Sequence, residues 1–148
     1  LGQEYLGGII FYLYIGSDGQ QHGLIVSKTE TTAKWQNTGV LTNAIRSWDG
    51  DYNTNLMSDS PAKDWVTGNF STDWYLPSVD ELSLLWQNRF HVNKALNDAG
   101  ETLLTRSSLY WSSTEYVATT AFSFYFDRGS TLPTSKGTIS LVRAIRTF

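Results

Sequence analysis

The order of predicted elements in this chain of 148 residues indicates an α+β fold with a mostly antiparallel sheet. Strand patterns occupy the beginning and the end of the sequence, and two helix patterns lie between them. A capping motif marks the start of the stronger helix, and alternating aromatic residues mark one of the late strands. The length fits a single domain, residues 1–148, which can bury a hydrophobic core without metal or disulfide support.

A β-hairpin is predicted near the N-terminus. Segment 7–16, GGIIFYLYIG, is rich in β-branched and aromatic residues, and segment 23–27, GLIVS, resumes the apolar pattern. Asp18 and Gly19 form a turn signal between the two strands. Segment 29–58 is polar and rich in Asn, Thr, Gly and Asp, so we expect a long and mostly irregular connection there.

Two helices are predicted in the middle of the chain. Ser60 is a suitable N-cap and Pro61 suits the first helical position, which together predict a short helix. The second helix begins after Ser78, whose spacing to Glu81 fits the S-x-x-E capping box. Apolar residues then follow helical spacing, so a helix is expected from about 79 to 90.

Three strands are predicted in the last part of the chain. Segment 108–116, SLYWSSTEY, has strand character, and segment 138–148, TISLVRAIRTF, is expected to be one closing strand. Between them, Phe122, Phe124 and Phe126 alternate with smaller or polar residues, which indicates a half-buried strand. The connection STLPTSKG that follows is predicted to be a loop.

The composition excludes several classes of function. The chain has no cysteine, which removes thiol nucleophiles, Cys-ligated zinc and disulfide bonds. A formal net charge of −3, without a basic run, argues against nucleic-acid binding. The longest apolar run is about ten residues, which is too short for membrane insertion. Phosphate-binding glycine motifs are absent, and we expect no cofactor.

No catalytic or metal site is predicted. His22 and His91 lie in no nucleophile motif, which favours structural roles for both. Asp80 and Glu81 are neighbours on a helix, about 100° apart around its axis, so they cannot flank one substrate atom. At the first turn both carboxylates are instead stabilised by the helix dipole.

The segment DGDYNTN, residues 49–55, is the best candidate for an oxygen-ligand site. Its oxygen-bearing side chains alternate as at the start of a calcium loop, but the glycine and glutamate required later in that loop are absent. We expect a polar turn, and a looser oxygen cage is the alternative. A hydrolase that uses Asp49, Asp51 or Glu115 is the enzymatic alternative to a binding function.

Four motifs, taken in order, resemble a widespread prokaryotic and phage domain family. They are GGIIFYLY with HGLIVS, DWYLPSVDELSLLW, LYWSSTEY and LVRAIR, and together they cover residues 5–148. The chain is similar to the family DUF1566 and to the C-terminal domain of a Legionella collagen-like adhesin. The resemblance implies a C-type-lectin-like fold in which GGIIFYLY pairs with the closing strand and two helices flank the sheet.

The same resemblance implies a ligand-binding face on a second, small sheet built from YWSST, FSFYF and the last strand. The E-P-N, Q-P-D and W-N-D motifs of calcium-dependent sugar binders are absent, so that activity is not implied. The fold is also that of the variable proteins of diversity-generating retroelements, which concentrate sequence variation in the C-terminal segment. Here the segment between YWSSTE and LVRAIR has the corresponding position.

The predicted ligand-binding residues of this segment are rich in Tyr, Ser and Thr, as antibody paratopes are. An ordinary solvated strand face is the alternative, because the same residues also favour strands. Trp48 and Tyr52 are further candidates from the polar connection. The predicted set from the C-terminal segment is Tyr116, Thr119, Thr120, Ser123, Tyr125, Asp127, Arg128, Thr131, Thr134 and Lys136.

The sequence therefore predicts a non-enzymatic receptor or adhesion domain on a cell surface or virion, or in a secreted protein. Its partner would be a protein or glycan ligand on another cell or host surface, and the domain would belong to a larger surface or virion protein. A purely structural module of such a protein is a further alternative.

Overall fold

Ten strands and four helices make up the computed structural model, which describes residues 1–148. None of the four helices has the length and apolar character needed to cross a membrane. The strands are β1 (Glu4–Tyr5), β2 (Gly8–Ile15), β3 (Gln21–Ser27), β4 (Thr31–Lys34), β5 (Trp74–Tyr75), β6 (Leu109–Val117), β7 (Thr120–Tyr125), β8 (Ser130–Ser135), β9 (Ile139–Val142) and β10 (Ile145–Thr147). The helices are α1 (Gly50–Leu56), α2 (Pro61–Asn69), α3 (Val79–Gln87) and α4 (Arg89–Asp98).

The strands form two five-stranded sheets, which confirms the α+β prediction. The first sheet has the order β1-β2-β3-β10-β5, and the second has the order β4-β9-β6-β7-β8. All pairs are antiparallel except the short parallel contact between β6 and β9. The edge strands are β1 and β5 in the first sheet and β4 and β8 in the second.

The N-terminal hairpin is confirmed as β2 and β3. Gly19 has a φ of 75°, which is the left-handed conformation that a tight turn requires. The Asp18 carboxylate accepts a hydrogen bond from the Gln20 N–H at 2.9 Å and so stabilises the turn.

The prediction of one closing strand paired with GGIIFYLY is wrong. Segment 138–148 contains two strands, of which β9 belongs to the second sheet and β10 to the first. β10 pairs with β3 and β5, because both edges of β2 are already occupied by β1 and β3. Both chain ends therefore share one sheet without being hydrogen-bonded neighbours.

A buried arginine joins the two sheets at this break. The Arg143 guanidinium donates hydrogen bonds to the Ser27 carbonyl oxygen (2.8 Å), to Glu30 Oε2 (2.9 Å) and to the Thr102 carbonyl oxygen (2.7 Å). Glu30 also accepts a hydrogen bond from the Tyr110 hydroxyl at 2.8 Å. Ser27 is the last residue of β3, and Glu30 lies between β3 and β4. Arg143 therefore joins two of the four places where the chain passes between the sheets, from β3 to β4 and from β9 to β10.

Two hydrophobic clusters lie on opposite faces of the first sheet. Ile9 and Phe11 point into one cluster and Ile10 into the other, which explains the nearly continuous apolar sequence of β2. β7 is also buried on both faces, since Phe124 belongs to the first cluster and Ala121 to the second. The prediction of a half-buried strand there is therefore wrong, because hydrophobic clusters pack against both faces of β7.

The polar connection and the predicted helices differ from the structure in three places. Segment 29–58 contains β4 and α1, so it is less irregular than predicted, and DGDYNTN is the start of a helix rather than a polar turn. The helix after Ser60 is confirmed as α2. The stronger predicted helix ends at Gln87, and a fourth helix, α4, follows Asn88, which leaves Phe90 70% exposed.

The predicted capping box is confirmed, and its glutamate makes further contacts. Ser78 Oγ accepts from the Glu81 N–H at 3.4 Å, and Glu81 Oε2 accepts from the Ser78 N–H at 2.8 Å. The same carboxylate accepts from the Gly50 N–H (3.1 Å) and the Tyr75 hydroxyl (2.9 Å). Glu81 thus connects the first turns of α1 and α3 with β5.

Burial raises the pKa of Glu81 despite these hydrogen bonds, so a proton binds the folded chain more readily than the unfolded chain. The stabilising effect of that proton is fully present below the unfolded pKa and is lost as the pH rises through the folded pKa. In Glu81→Gln the amide oxygen can accept from Ser78 and Gly50, and this pH dependence is removed.

We therefore expect the wild-type chain to gain stability relative to Glu81→Gln when the pH falls from about 7 towards about 4. Urea unfolding at a series of pH values measures this difference. Asp80→Asn is the matched control, because Asp80 is exposed and accepts only from Ser47 Oγ among side chains (2.7 Å). Parallel stability curves for wild type and Glu81→Gln would contradict the assignment.

Candidate functional site

The loop between β4 and α1 lies against the end of β6 and the turn that follows it, with Gly39 beside Thr119 and the Glu115 N–H bonded to the Ala44 carbonyl oxygen, and both segments carry exposed apolar or aromatic side chains. Leu41 and Ile45 are 64% and 65% exposed, and Tyr116 is 56% exposed. Clustered exposed apolar residues commonly mark interaction sites. The loop–turn surface, as we call it, consists of Val40, Leu41, Ile45, Tyr116, Val117 and Thr119.

A buried glutamate fixes the loop against β6. Glu115 accepts hydrogen bonds from the Thr42 N–H (2.9 Å), the Thr42 hydroxyl (3.1 Å) and the Asn43 N–H (3.0 Å). Its own N–H donates to the Ala44 carbonyl oxygen at 2.7 Å. Asn43 adopts a φ of 62°, so the backbone turns sharply at the point where the carboxylate binds it.

A buried lysine completes this arrangement from the other side. Lys136 Nζ donates to Glu115 Oε1 (2.6 Å), to the Val40 carbonyl oxygen (2.8 Å) and to Gln36 Oε1 (3.1 Å). The ammonium also lies 4.6 Å from the centre of the Trp35 ring. Every contact of this buried ion pair thus holds the loop, which fixes the position of the apolar side chains that the loop carries.

The structure separates the predicted ligand-binding residues by their exposure. Thr120 and Tyr125 are half-buried, and the Thr120 hydroxyl has no hydrogen-bond partner in the structure. The exposed members are Tyr116, Thr119, Asp127, Arg128 and Thr131, together with Trp48 and Tyr52. Whether these residues bind a ligand stays a prediction.

The expectation that Ser123, Thr134 and Lys136 face outward is wrong, because all three side chains are buried. STLPTSKG is not a loop but contains β8, which pairs with β7 and carries Thr134, and Lys136 directly follows it. Ser123 Oγ lies 2.6 Å from Thr134 Oγ1 and donates to the Leu132 carbonyl oxygen at 3.1 Å. Ser123 and Thr134 are therefore bonded to each other between β7 and β8.

The exposed members from the C-terminal segment do not form one face. Tyr116 lies near the end of β6 and Thr119 in the turn before β7, whereas Asp127 and Arg128 lie in the turn after β7. A six-residue strand separates the two groups by roughly 17 Å. Only the first group joins the loop–turn surface; in the second, the Arg128 guanidinium lies 5.3 Å from the Tyr125 ring centre.

The acids of the enzymatic alternative have structural partners. Asp49 caps α1 by accepting from the Tyr52 N–H (3.0 Å), and it also accepts from Arg46 (2.7 Å). Glu115 is closed off from solvent by Lys136 and the loop, so a substrate cannot reach it. Asp51 is exposed. The structure contains no group of three or more acidic or histidine side chains arranged to hold a metal ion.

The loop part of this surface is not recognised from the sequence. The available sequence signal for an exposed apolar surface is a few isolated apolar residues in a polar segment, namely Val40, Leu41 and Ile45. The contacts that fix them connect residues far apart in the chain, such as Thr42 with Glu115, and no local pattern predicts such pairs.

Comparisons with known proteins give a structural relative. No family model matches the sequence, and no curated protein matches it. The crystal structure of a fimbrial protein from Bacteroides ovatus is similar, with a TM-score of 0.73 and 15% sequence identity. The match covers 95% of this chain and 44% of that one. The two proteins share a fold, and this chain spans less than half the length of the fimbrial protein.

Replacing Lys136 tests how the loop is held. Lys136→Met leaves the buried Glu115 carboxylate without its cation, which we expect to reduce the free energy of unfolding by about 3–5 kcal/mol. The amides of Thr42 and Asn43 should also exchange hydrogen faster. Urea unfolding and hydrogen–deuterium exchange measure both effects.

The matched control is Lys94→Met, since Lys94 forms an exposed ion pair with Asp98 at 3.1 Å. We expect that change to cost less than about 1 kcal/mol. Equal losses in the two variants, or unchanged exchange at residues 42 and 43, would show that the buried pair does not hold the loop.

Proposed function

We propose that this chain is a non-enzymatic binding module of a larger surface-exposed protein, and that the loop–turn surface contacts a partner protein. The observation that carries the proposal is a set of large apolar side chains that are exposed to solvent on a loop. A buried ion pair fixes the position of this loop. Burying such side chains against a partner removes apolar area from water and so favours association.

The rigidity of the loop supports a binding role. A segment that is already ordered loses little conformational entropy on association, so more of the interaction energy remains as affinity. Tyr116 is suited to anchor a contact, because tyrosine combines a large ring with a hydroxyl and has few rotatable bonds. Its ring packs on Phe122 with 5.0 Å between the centres, which restricts its motion further.

The fold supports a location in a surface assembly. The similar solved structure is described as a fimbrial protein, and its chain is more than twice as long as the part matched here. A module of this kind inside a longer adhesive protein agrees with the resemblance to adhesin C-terminal domains. The C-type-lectin-like assignment belongs to the same proposal, and the sheet of β6, β7 and β9 beside a sheet holding both chain ends supports it.

Adhesion by the isolated domain tests the contact surface. Beads coated with wild-type protein are compared with beads carrying Leu41→Ser/Tyr116→Ser on a panel of epithelial and bacterial cell layers. We expect the double variant to bind at least about tenfold fewer cells, because anchor residues each contribute more than about 1 kcal/mol.

The control variant is Phe90→Ser/Leu103→Ser, which removes two exposed apolar residues outside the loop–turn surface. Wild-type adhesion in this control, with loss in the first variant, supports the proposal. Equal adhesion by all three proteins would favour a purely structural module. A hydrolase using Asp49, Asp51 or Glu115 has less support, since Glu115 is inaccessible.

We also propose that exposed residues of the C-terminal segment vary between related genes, as in the variable proteins of diversity-generating retroelements. The motivation is the position of Tyr116 near the end of β6 and of Thr119 and Arg128 in the turns before and after β7, where exposed side chains can change without disturbing the core. Sequencing the neighbouring DNA tests this. We expect a reverse transcriptase gene and a near-copy of the segment coding for residues 110–148 that differs at adenines; their absence leaves a plain adhesin-type domain.

A further inference from the structure

A groove of about 410 Å³ on the first sheet shares no residue with the loop–turn surface. Tyr12, Leu24 and Thr147 lie side by side across β2, β3 and β10 and contribute to its lining. The segment that leads into α1 contributes Trp48 and Asp49, and the first turn of α1 contributes Asp51. A groove of this size is within the range of small-molecule sites.

Flat aromatic surfaces line this groove. The rings of Tyr12 and Tyr14 are stacked, with 5.9 Å between their centres and 27° between their planes. Trp48 is 67% exposed, whereas the other five tryptophans are buried or half-buried. Leaving an indole in water is unfavourable, so its position beside a groove indicates a surface for a flat, partly apolar ligand.

The charges of the groove are largely compensated within the protein. Asp49 Oδ2 accepts from the Arg46 guanidinium at 2.7 Å, and the two oxygens of Glu81 are occupied by donors from Tyr75, Ser78 and Gly50. Asp51 has no ion-pair partner in the structure. Glu81 has no ion-pair partner either, but it is buried and its donors are neutral groups of the protein, so Asp51 is the exposed carboxylate of the groove that lacks a cation. The carboxylate oxygens of Asp49 and Asp51 can accept further hydrogen bonds.

A neutral sugar ring matches both the aromatic surfaces and the carboxylate acceptors of the groove. A pyranose has an apolar C–H face, which packs on aromatic rings, and a rim of hydroxyl groups, which donate hydrogen bonds to carboxylates. We propose that this groove binds neutral pyranose units of a glycan, with Trp48 stacking on the ring and Asp49 and Asp51 accepting from its hydroxyls. The inference does not depend on the proposed protein contact.

A cationic ligand is the rival occupant, because aromatic rings and a free carboxylate also attract amines. The ion pair of Asp49 with Arg46 and the burial of Glu81 favour the neutral ligand, since Asp51 is then the one exposed, unpaired carboxylate that could offset the desolvation of a cation. The two ligands require different properties of the Asp51 side chain. A cation needs its charge, whereas a sugar needs only an acceptor oxygen.

Tryptophan fluorescence provides the test, because acrylamide reaches exposed indoles first. Wild-type protein is titrated with neutral hexasaccharides of glucose, mannose, galactose and N-acetylglucosamine, and separately with hexalysine. We expect at least one neutral hexasaccharide to protect Trp48 from quenching. Calorimetry with the same sugar should show at least about tenfold weaker binding for Trp48→Ala, or about 1.4 kcal/mol.

Two further variants distinguish the occupants. Asp51→Asn keeps an acceptor oxygen and should retain sugar binding within about threefold, whereas Asp51→Ala should weaken it. Phe90→Ala, an exposed aromatic outside the groove, is the control and should bind as wild type does. Failure of every neutral sugar to protect Trp48, or hexalysine binding that Asp51→Asn abolishes, overturns the proposal.

Discussion

The arrangement of the two sheets depends on the buried guanidinium of Arg143. Its planar group of donors satisfies two backbone carbonyls and the Glu30 carboxylate, and it joins the crossover from β9 to β10 to the crossover from β3 to β4. A lysine would present one charged nitrogen and could not reach these acceptors in the same directions. The groove on the first sheet and the loop fixed by the second keep their relative positions because these crossovers are held together.

Local signals in the sequence predict the elements that local interactions form. Asp18 and Gly19 identify the first hairpin, and Ser78 with Glu81 identifies the start of α3, because turn and cap chemistry act over a few residues. The division of the closing strand is not predictable in this way. An arginine in an apolar strand is most often exposed, and nothing in its neighbourhood in the sequence indicates that Arg143 is buried against Ser27 and Thr102.

In the candidate site, too, some features follow from the local sequence and others from contacts between residues that are distant in the sequence. Thr119 is exposed because it lies in the turn after β6, and Tyr116 is exposed because it lies near the end of that strand, which the sequence predicts at 108–116. The sequence predicts a loop around Lys136, yet the side chain is buried because Glu115, distant in sequence, supplies the opposite charge. Charge patterns alone do not reveal a buried pair, since a lone lysine in a Ser- and Thr-rich segment is more often solvated.

The edges of the two sheets affect how copies of this chain can be packed together. β1 and β5 have only two residues each, β4 ends in Lys34, and β8 carries Pro133, which has no N–H to donate. Short strands, edge lysines and prolines all oppose the addition of a foreign strand. Neighbouring copies at high density are therefore expected to meet through side chains, and crowding should not convert the domain into a continuous sheet.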